Sequence, residues 1–339
     1  MQGKRRTTRA AKKQVTSGLA PDSRPHPKRT RVQLYLPIAD IPVNVFLILA
    51  MGAAVGFVSG MFGIGGGFLM TPLLIFVGIA PAVAVASVAS HIAASSFSGA
   101  LSYWRRRAID PALAMVLLSG GIVGTALGVW VFTLLRSLGQ LDLLIALSYV
   151  VLLSAVGGLM FWEGLRAMMR LRSGVHVPQR RSGSHGWIHG LPLKVRFKRS
   201  KIYLSVIPVI TVGLVIGFIG AVMGIGGSFI LIPIMIYWLR VPTSTVIGTS
   251  MVLTLVTMIF ATLLHAVTNH LVDAVLALIL MIGGVTGAQF GARAGQKIRG
   301  EHLRLLLGLL ILMVGLRFAV ELVLQPSDLF TIRETGGTG

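Results

Sequence analysis

"GMFGIGGGFLMTP", residues 60–72, sets Gly63, Gly65, Gly66 and Gly67 together inside an apolar stretch where a lipid-facing helix would run on unbroken. Neighbouring glycines favour unwound backbone, each costing about 1 kcal/mol relative to alanine in a helix. The stretch recurs as "AVMGIGGSFILIP", residues 221–233, with Gly224, Gly226 and Gly227. Around it the correspondence continues in register: Gly56, Pro72 and Pro81 match Gly217, Pro233 and Pro242. After a small difference in loop length, Ser87, Asp110, Gly120, Gly121, Gly124 and Gly128 match Ser250, Asp273, Gly283, Gly284, Gly287 and Gly291. So many matches indicate an internal duplication, and repeated bundles about a central site are the usual plan of secondary transporters.

The composition sets the environment. Mean hydropathy over the 339 residues is +0.83, and only 12% of side chains are charged, against roughly a quarter in soluble domains. This is an all-α polytopic membrane protein. Its formal charge of +21 gathers in two places, residues 1–31 and a central stretch from Arg166 to Lys201, so it reads as a topology signal that also holds anionic lipid headgroups rather than as a nucleic-acid surface. Cysteine is absent, which removes disulfides, thiolate metal sites and thiol nucleophiles. No small-residue cleavage site follows the first apolar run, so that span is expected to stay in the mature protein.

The chain divides into a disordered basic tail (1–40), a first transmembrane repeat (41–171), a basic cytoplasmic linker (172–201), a second repeat (202–324) and a C-terminal tail (325–339). Each repeat holds five apolar segments, the second of them short. Residues 67–80 make about 21 Å of helix, less than a full crossing. The count is therefore 8 to 10 membrane segments. The basic runs around Arg105–Arg107, in the linker and from Arg293 to Arg304 are expected to be cytoplasmic. Five crossings per half satisfy them and invert the second half relative to the first, but leave the basic tail outside. Four per half put the tail inside but place the Arg293 to Arg304 run outside, so five plus five inverted, which satisfies more loops, is the expected arrangement.

Two kinds of glycine are distinguished. Gly120, Gly124 and Gly128, like Gly283, Gly287, Gly291 and Gly295, fall four apart on one helix face and suit close helix packing. The clusters differ, because packing needs no break. A nucleotide loop is rejected, since both clusters lie between apolar segments and neither is followed by lysine and a hydroxyl residue. A discontinuous membrane helix remains, tolerated where freed backbone is buried or lines a watery cavity, and its bare amides and positive helix end attract anions. Gly63, Gly65, Gly66, Gly67, Gly224, Gly226 and Gly227 are thus candidate substrate-binding residues, a hinge being the structural alternative. His91, among serines within a span, either touches substrate or a coupling proton or bonds a neighbouring helix. Ser87, Thr249 and Ser250 are hydroxyl donors placed just after the short segments. Asp110 and Asp273 read as helix caps, Arg317 and Glu321 as a pair one turn apart, and His265 and His270 as solvated at an interface. No nucleophile elbow, metal-ligand spacing or Walker motif occurs, so an enzyme, a metal site and a cofactor are not expected.

The repeated G-x-G-G motif, the proline about six residues after it and "GTS" at Gly248–Ser250 resemble the TauE/SafE family of sulfite exporters and permeases over about residues 43–324. In the first half "VAS", Val85–Ser87, stands where the second has "GTS". The resemblance implies an integral protein of the bacterial inner membrane that moves sulfite, sulfoacetate or another organosulfonate. The expected function is a secondary transporter of a small anion by alternating access between the repeats; a passive anion channel and a membrane scaffold or subunit of a larger assembly are the alternatives. Expected partners are the small anionic substrate and membrane lipids, with a homo-oligomer open.

Overall fold

Among the described residues, apolar runs punctuated by proline, aspartate and glycine become ten α-helices. The computed structural model describes residues 33–62, 65–172, 194–197, 200, 202–239, 241, 243–295 and 300–323. The helices of the first half are α1 (Val45–Phe62), α2 (Gly67–Phe76), α3 (Pro81–Arg105), α4 (Pro111–Ser137) and α5 (Leu141–Arg172). Those of the second are α6 (Val206–Met223), α7 (Ser228–Pro233), α8 (Thr243–Leu264), α9 (Ala274–Gly295) and α10 (Gly300–Val323). A π-helical turn, Ile234–Trp238, prolongs α7, and another, His265–Asn269, prolongs α8. Pro81 and Pro111 open their helices, where a missing N–H costs nothing. Among the described residues seven helices are long and apolar enough to cross a membrane. The 10-residue α2 and 6-residue α7 are not, as the short second segments foretold.

Before the helices of each half stands a hairpin that straddles the expected boundary, its first strand in the tail or linker and its second in the repeat. Strands β1 (Gln33–Leu36) and β2 (Ile41–Asn44) pair antiparallel, as do β3 (Lys194–Phe197) and β4 (Ile202–Ser205). The reason is alternation at short range: Leu36, Val43, Phe197 and Leu204 turn inward and are buried, within sequence too basic or proline-rich to look folded. The two cap aspartates anchor the hairpins as well as the helices. Asp110 Oδ1 accepts from Leu113 N at the start of α4, and its Oδ2 accepts from the backbone N (2.9 Å) and hydroxyl (2.8 Å) of Ser200. Asp273 Oδ1 accepts from Leu276 N at the start of α9, and its Oδ2 from Ile38 N at 3.0 Å. The rest of the tail, linker residues 173–193 and the C-terminal residues lie outside the described residues.

Helix pairing follows the glycine faces. A Cβ on Gly56 would come 2.3 Å from Gly284 O, and one on Gly60 2.1 Å from Ala288 O, so α1 and α9 run parallel with backbones almost touching. Gly124 against Leu214 O (2.0 Å) and Gly128 against Phe218 O (2.7 Å) place α4 parallel to α6 in the same way. By contrast α3 and α8 are antiparallel, Gly99 meeting Met251 and Gly248 meeting Tyr103, and so are α5 and α10, Gly157 meeting Ile311 and Gly164 meeting Leu305. Exchanging the first five helices for the last five carries this set of pairings onto itself.

Candidate functional site

At both breaks the backbone turns left-handed, a conformation that side chains with a Cβ resist by about 1–2 kcal/mol. In the first, φ is +83° at Gly65 and +70° at Gly66; in the second it is +76° at Gly226 and +69° at Gly227. The two breaks come together in the interior. Phe68 and Phe229, each just past its break, stack with ring centroids 4.6 Å apart and planes 7° apart. Ile92, at the middle of α3 and fully buried, lies against Gly65, Gly67 and Gly226 at once. The Thr71 hydroxyl donates to Gly224 O at 3.3 Å, tying α2 to the opposite break. No side chain caps α2; Leu69 N and Met70 N turn back to Gly66 O at 3.2 and 3.3 Å, so the N–H groups of Gly67 and Phe68 are the ones that a helix start cannot pair within itself.

A cavity of about 620 Å³ leads to the first break between the ends of α1, α3 and α9 and the start of α8. Arg105, Arg106 and Arg293 stand exposed at its mouth, Ser102, Tyr103 and Gln289 line its throat, and Ser59, Ser95, Ser96 and Gly65 form its buried base. From Ser96 to Arg105 along α3 is about 14 Å of helix. No aspartate or glutamate lines it among the described residues, so its field is that of guanidinium groups converging on hydroxyls. Ser96 is the telling member. Its Oγ has no hydrogen-bond partner although the residue is 1% exposed, and it lies 3.8 Å from where a Cβ on Gly65 would stand. Buried hydroxyls are ordinarily paired, and this one lies without a partner beside a glycine break.

The other sequence candidates are distributed unequally. Gly65 lines the cavity, and Gly66 and Gly67 pack behind it against Ser59 and Ile92; Gly63 lies outside the described residues. The second break is closed upon itself. Gly226 O accepts from Thr254 Oγ1 at 2.7 Å and from Ser228 N at 2.9 Å, Ser228 and Thr254 share a further hydroxyl contact, and Gly224 packs on Val85. Ser87 and Thr249 are not brought to the breaks. The Ser87 hydroxyl accepts from Asp273 N at 3.0 Å and that of Thr249 from Asp110 N at 3.4 Å, equivalent bonds that pair Ser87 with Thr249, one residue off the sequence alignment with Ser250. Ser250 donates to Ile247 O within its own helix. His91 faces α9, its Nδ1 2.8 Å from Leu280 O and its ring in the space that a Cβ on Gly284 would need; its Nε2 has no partner.

His265 is a correction. Instead of standing in water at an interface, it is 1% exposed, because the π-helical turn at the end of α8 rolls it inward between α4 and α6. His270 is exposed, as expected. Arg317 lies over the Phe76 ring, 4.9 Å from its centroid; the Glu321 side chain is outside the described residues. The mouth arginines and Gln289 were read as topology signals or passed over, yet Ser95, Ser98, Ser102 and Arg105 recur at one-turn spacing on α3, a polar stripe that periodicity shows.

Helices enough for many crossings, two broken ones meeting in the interior, and a positively charged cavity ending at a break define a polytopic membrane transporter. The chain belongs to the sulfite exporter TauE/SafE family, whose family model matches residues 48–318. It is 28% identical over 273 residues to "Probable membrane transporter protein YjnA" of Bacillus subtilis, covering 80% of this chain and 98% of that one. It is also 28% identical over 283 residues to a "Probable membrane transporter protein" of Xylella fastidiosa, covering 80% and 94%. Over 60 residues it is 40% identical to "Sulfite exporter TauE/SafE family protein 1" of Arabidopsis thaliana, 18% of this chain and 13% of that one. No solved structure matches.

Proposed function

We propose that the protein is a secondary transporter of a small, sulfur-containing anion in the bacterial inner membrane, exposing one site alternately to the two faces. The observation that carries this reading is the unpaired Ser96 hydroxyl beside Gly65, at the end of a cavity whose mouth holds three arginines and whose lining holds no carboxylate among the described residues. Guanidinium groups raise the local concentration of anions, and the hydroxyl and the amides at the break replace water around the anion's oxygens. Sulfite, sulfoacetate and other organosulfonates suit such donors, and the family name supports that class. The same three arginines support a cytoplasmic mouth on this reading.

Alternating exposure is supported by the way the halves pair. Two helices that pair with their own counterparts, α3 with α8 and α5 with α10, do so antiparallel, as an inverted duplication requires. Ile92 and the Phe68–Phe229 stack fill the centre, which favours a transporter with an occluding core over an open channel. Purified protein is to be heated with sulfite, sulfate, thiosulfate, sulfoacetate and carboxylates in turn, since a ligand at about 100 times its Kd stabilises the folded state by about 2.7 kcal/mol. A rise in unfolding temperature with a sulfur oxyanion or sulfonate, lost in Ser96→Ala, is the expected result. Equal response to every anion, or an undiminished response in Ser96→Ala, would remove the site.

A further inference from the structure

The open route to the breaks has a closed counterpart on the far side. The equivalent bonds of Ser87 and Thr249 align α3 with α8, so that Ile92, Ser96, Gly99 and Tyr103 correspond to Thr254, Met258, Ala261 and His265. On α3, Ser96, Gly99 and Tyr103 look into the cavity. On α8, Thr254, Met258, Ala261 and His265 share one helical face and are each at most 1% exposed. Where the first half has open space, the second is packed shut, and polar contacts hold it so at the end of α8. His265 Nε2 donates to Ala221 O on α6 at 3.2 Å, and its Nδ1 accepts from Asn269 Nδ2 at 3.3 Å, one tautomer serving both. Thr133 Oγ1 donates to Asn269 Oδ1 at 3.1 Å, Arg136 Nη1 donates to Asn269 O at 2.9 Å, and the Phe132 ring stands edge-on to His265 at 4.6 Å. His265 and Asn269 sit on a π-helical turn, a local irregularity often found at functional sites.

We propose that this face of α8 is the other half of the anion's route, shut by a latch of His265, Asn269, Thr133 and Arg136 that joins α8 to α4 and α6. When the latch parts, Thr254 and His265 line the opened path, and Arg136 is the cation that the anion meets at the far mouth, as Arg105 and Arg293 are at the near one. The inference rests on the transporter reading, but its test needs no substrate. The chain has no cysteine, so single cysteines report without background. Ala261→Cys is to be treated with a water-soluble maleimide in the otherwise native protein, and again with Asn269→Ala or the milder Thr133→Val added; Ser102→Cys reports the open side.

In the intact background the expected result is rapid labelling at 102 and slow labelling at 261. Weakening the latch should speed labelling at 261 by about tenfold or more and slow it at 102, because a population shift toward one open state draws from the other. As a second measurement, oxidising a Thr133→Cys/Asn269→Cys pair should fix 261 in its slow state. Fast labelling at 261 in the intact background overturns the proposal, and so do unchanged rates with both latch variants, or a cross-linked protein that still labels quickly. If the two sites alternate but no sulfur anion is bound or carried, the substrate reading fails while the gate stands.

Discussion

Ser96 keeps a buried hydroxyl without a partner, and an unpaired buried polar group costs about 1–3 kcal/mol. Ser96→Ala is therefore expected to raise the unfolding temperature of ligand-free protein slightly while weakening anion binding, opposite effects that a purely structural serine would not give; calorimetry with and without the anion measures both. Gly66 and Gly227 were legible as breaks because positive φ selects glycine. Alanine at either adds about 1–2 kcal/mol of backbone strain. Contact with the Ser59 Cβ (2.9 Å) or the Ile216 Cγ2 (2.4 Å) adds to it, so both variants should unfold at clearly lower temperature. What sequence could not give was the inequality of the two breaks. Gly63, Gly65 and Gly66 match Gly224, Gly226 and Gly227, with Ser228 in the place of Gly67, yet Thr254 closes the second break upon itself while Ser96 leaves the first open. That difference lies in contacts across the chain, which no local pattern encodes.

Between elements, the glycine faces were the most readable feature, since spacing of four residues on a membrane helix has one common use. Their partners were not, because the pairing α1 with α9 and α4 with α6 joins residues far apart in the chain. Gly124→Val would drive its Cβ to 2.0 Å from Leu214 O, backbone that cannot yield, so α4 and α6 must separate; loss of the monodisperse folded species on size exclusion is the expected outcome. The aspartate caps were also read correctly, but their second role was hidden. Asp273→Ala should remove about 1 kcal/mol as a helix cap and release the first hairpin as well through Ile38 N, seen as faster amide exchange at Ile38 and the β1–β2 pairs. The hairpins escaped notice because each strand is four residues long, too short for alternation to stand out against basic and proline-rich surroundings.

For the whole molecule, charge placement links fold to function. Membrane composition and the family were legible from apolar runs and repeated motifs, whereas the cavity exists only because α3 and α9 end together and bring Arg105 and Arg293 to one mouth. Replacing both by glutamine should raise KM for the anion several-fold with little change in kcat and flatten its dependence on ionic strength, since exposed arginines steer the anion and salt screens them. The most direct trial of the central claim, that an anion is held at the cavity base beside Gly65 and Ser96, is flux of labelled sulfite or sulfoacetate across liposomes containing the purified protein. The account predicts saturable flux that falls steeply in Gly65→Leu and Ser96→Ala. Flux that does not saturate, or that both variants carry at the native rate, would contradict it.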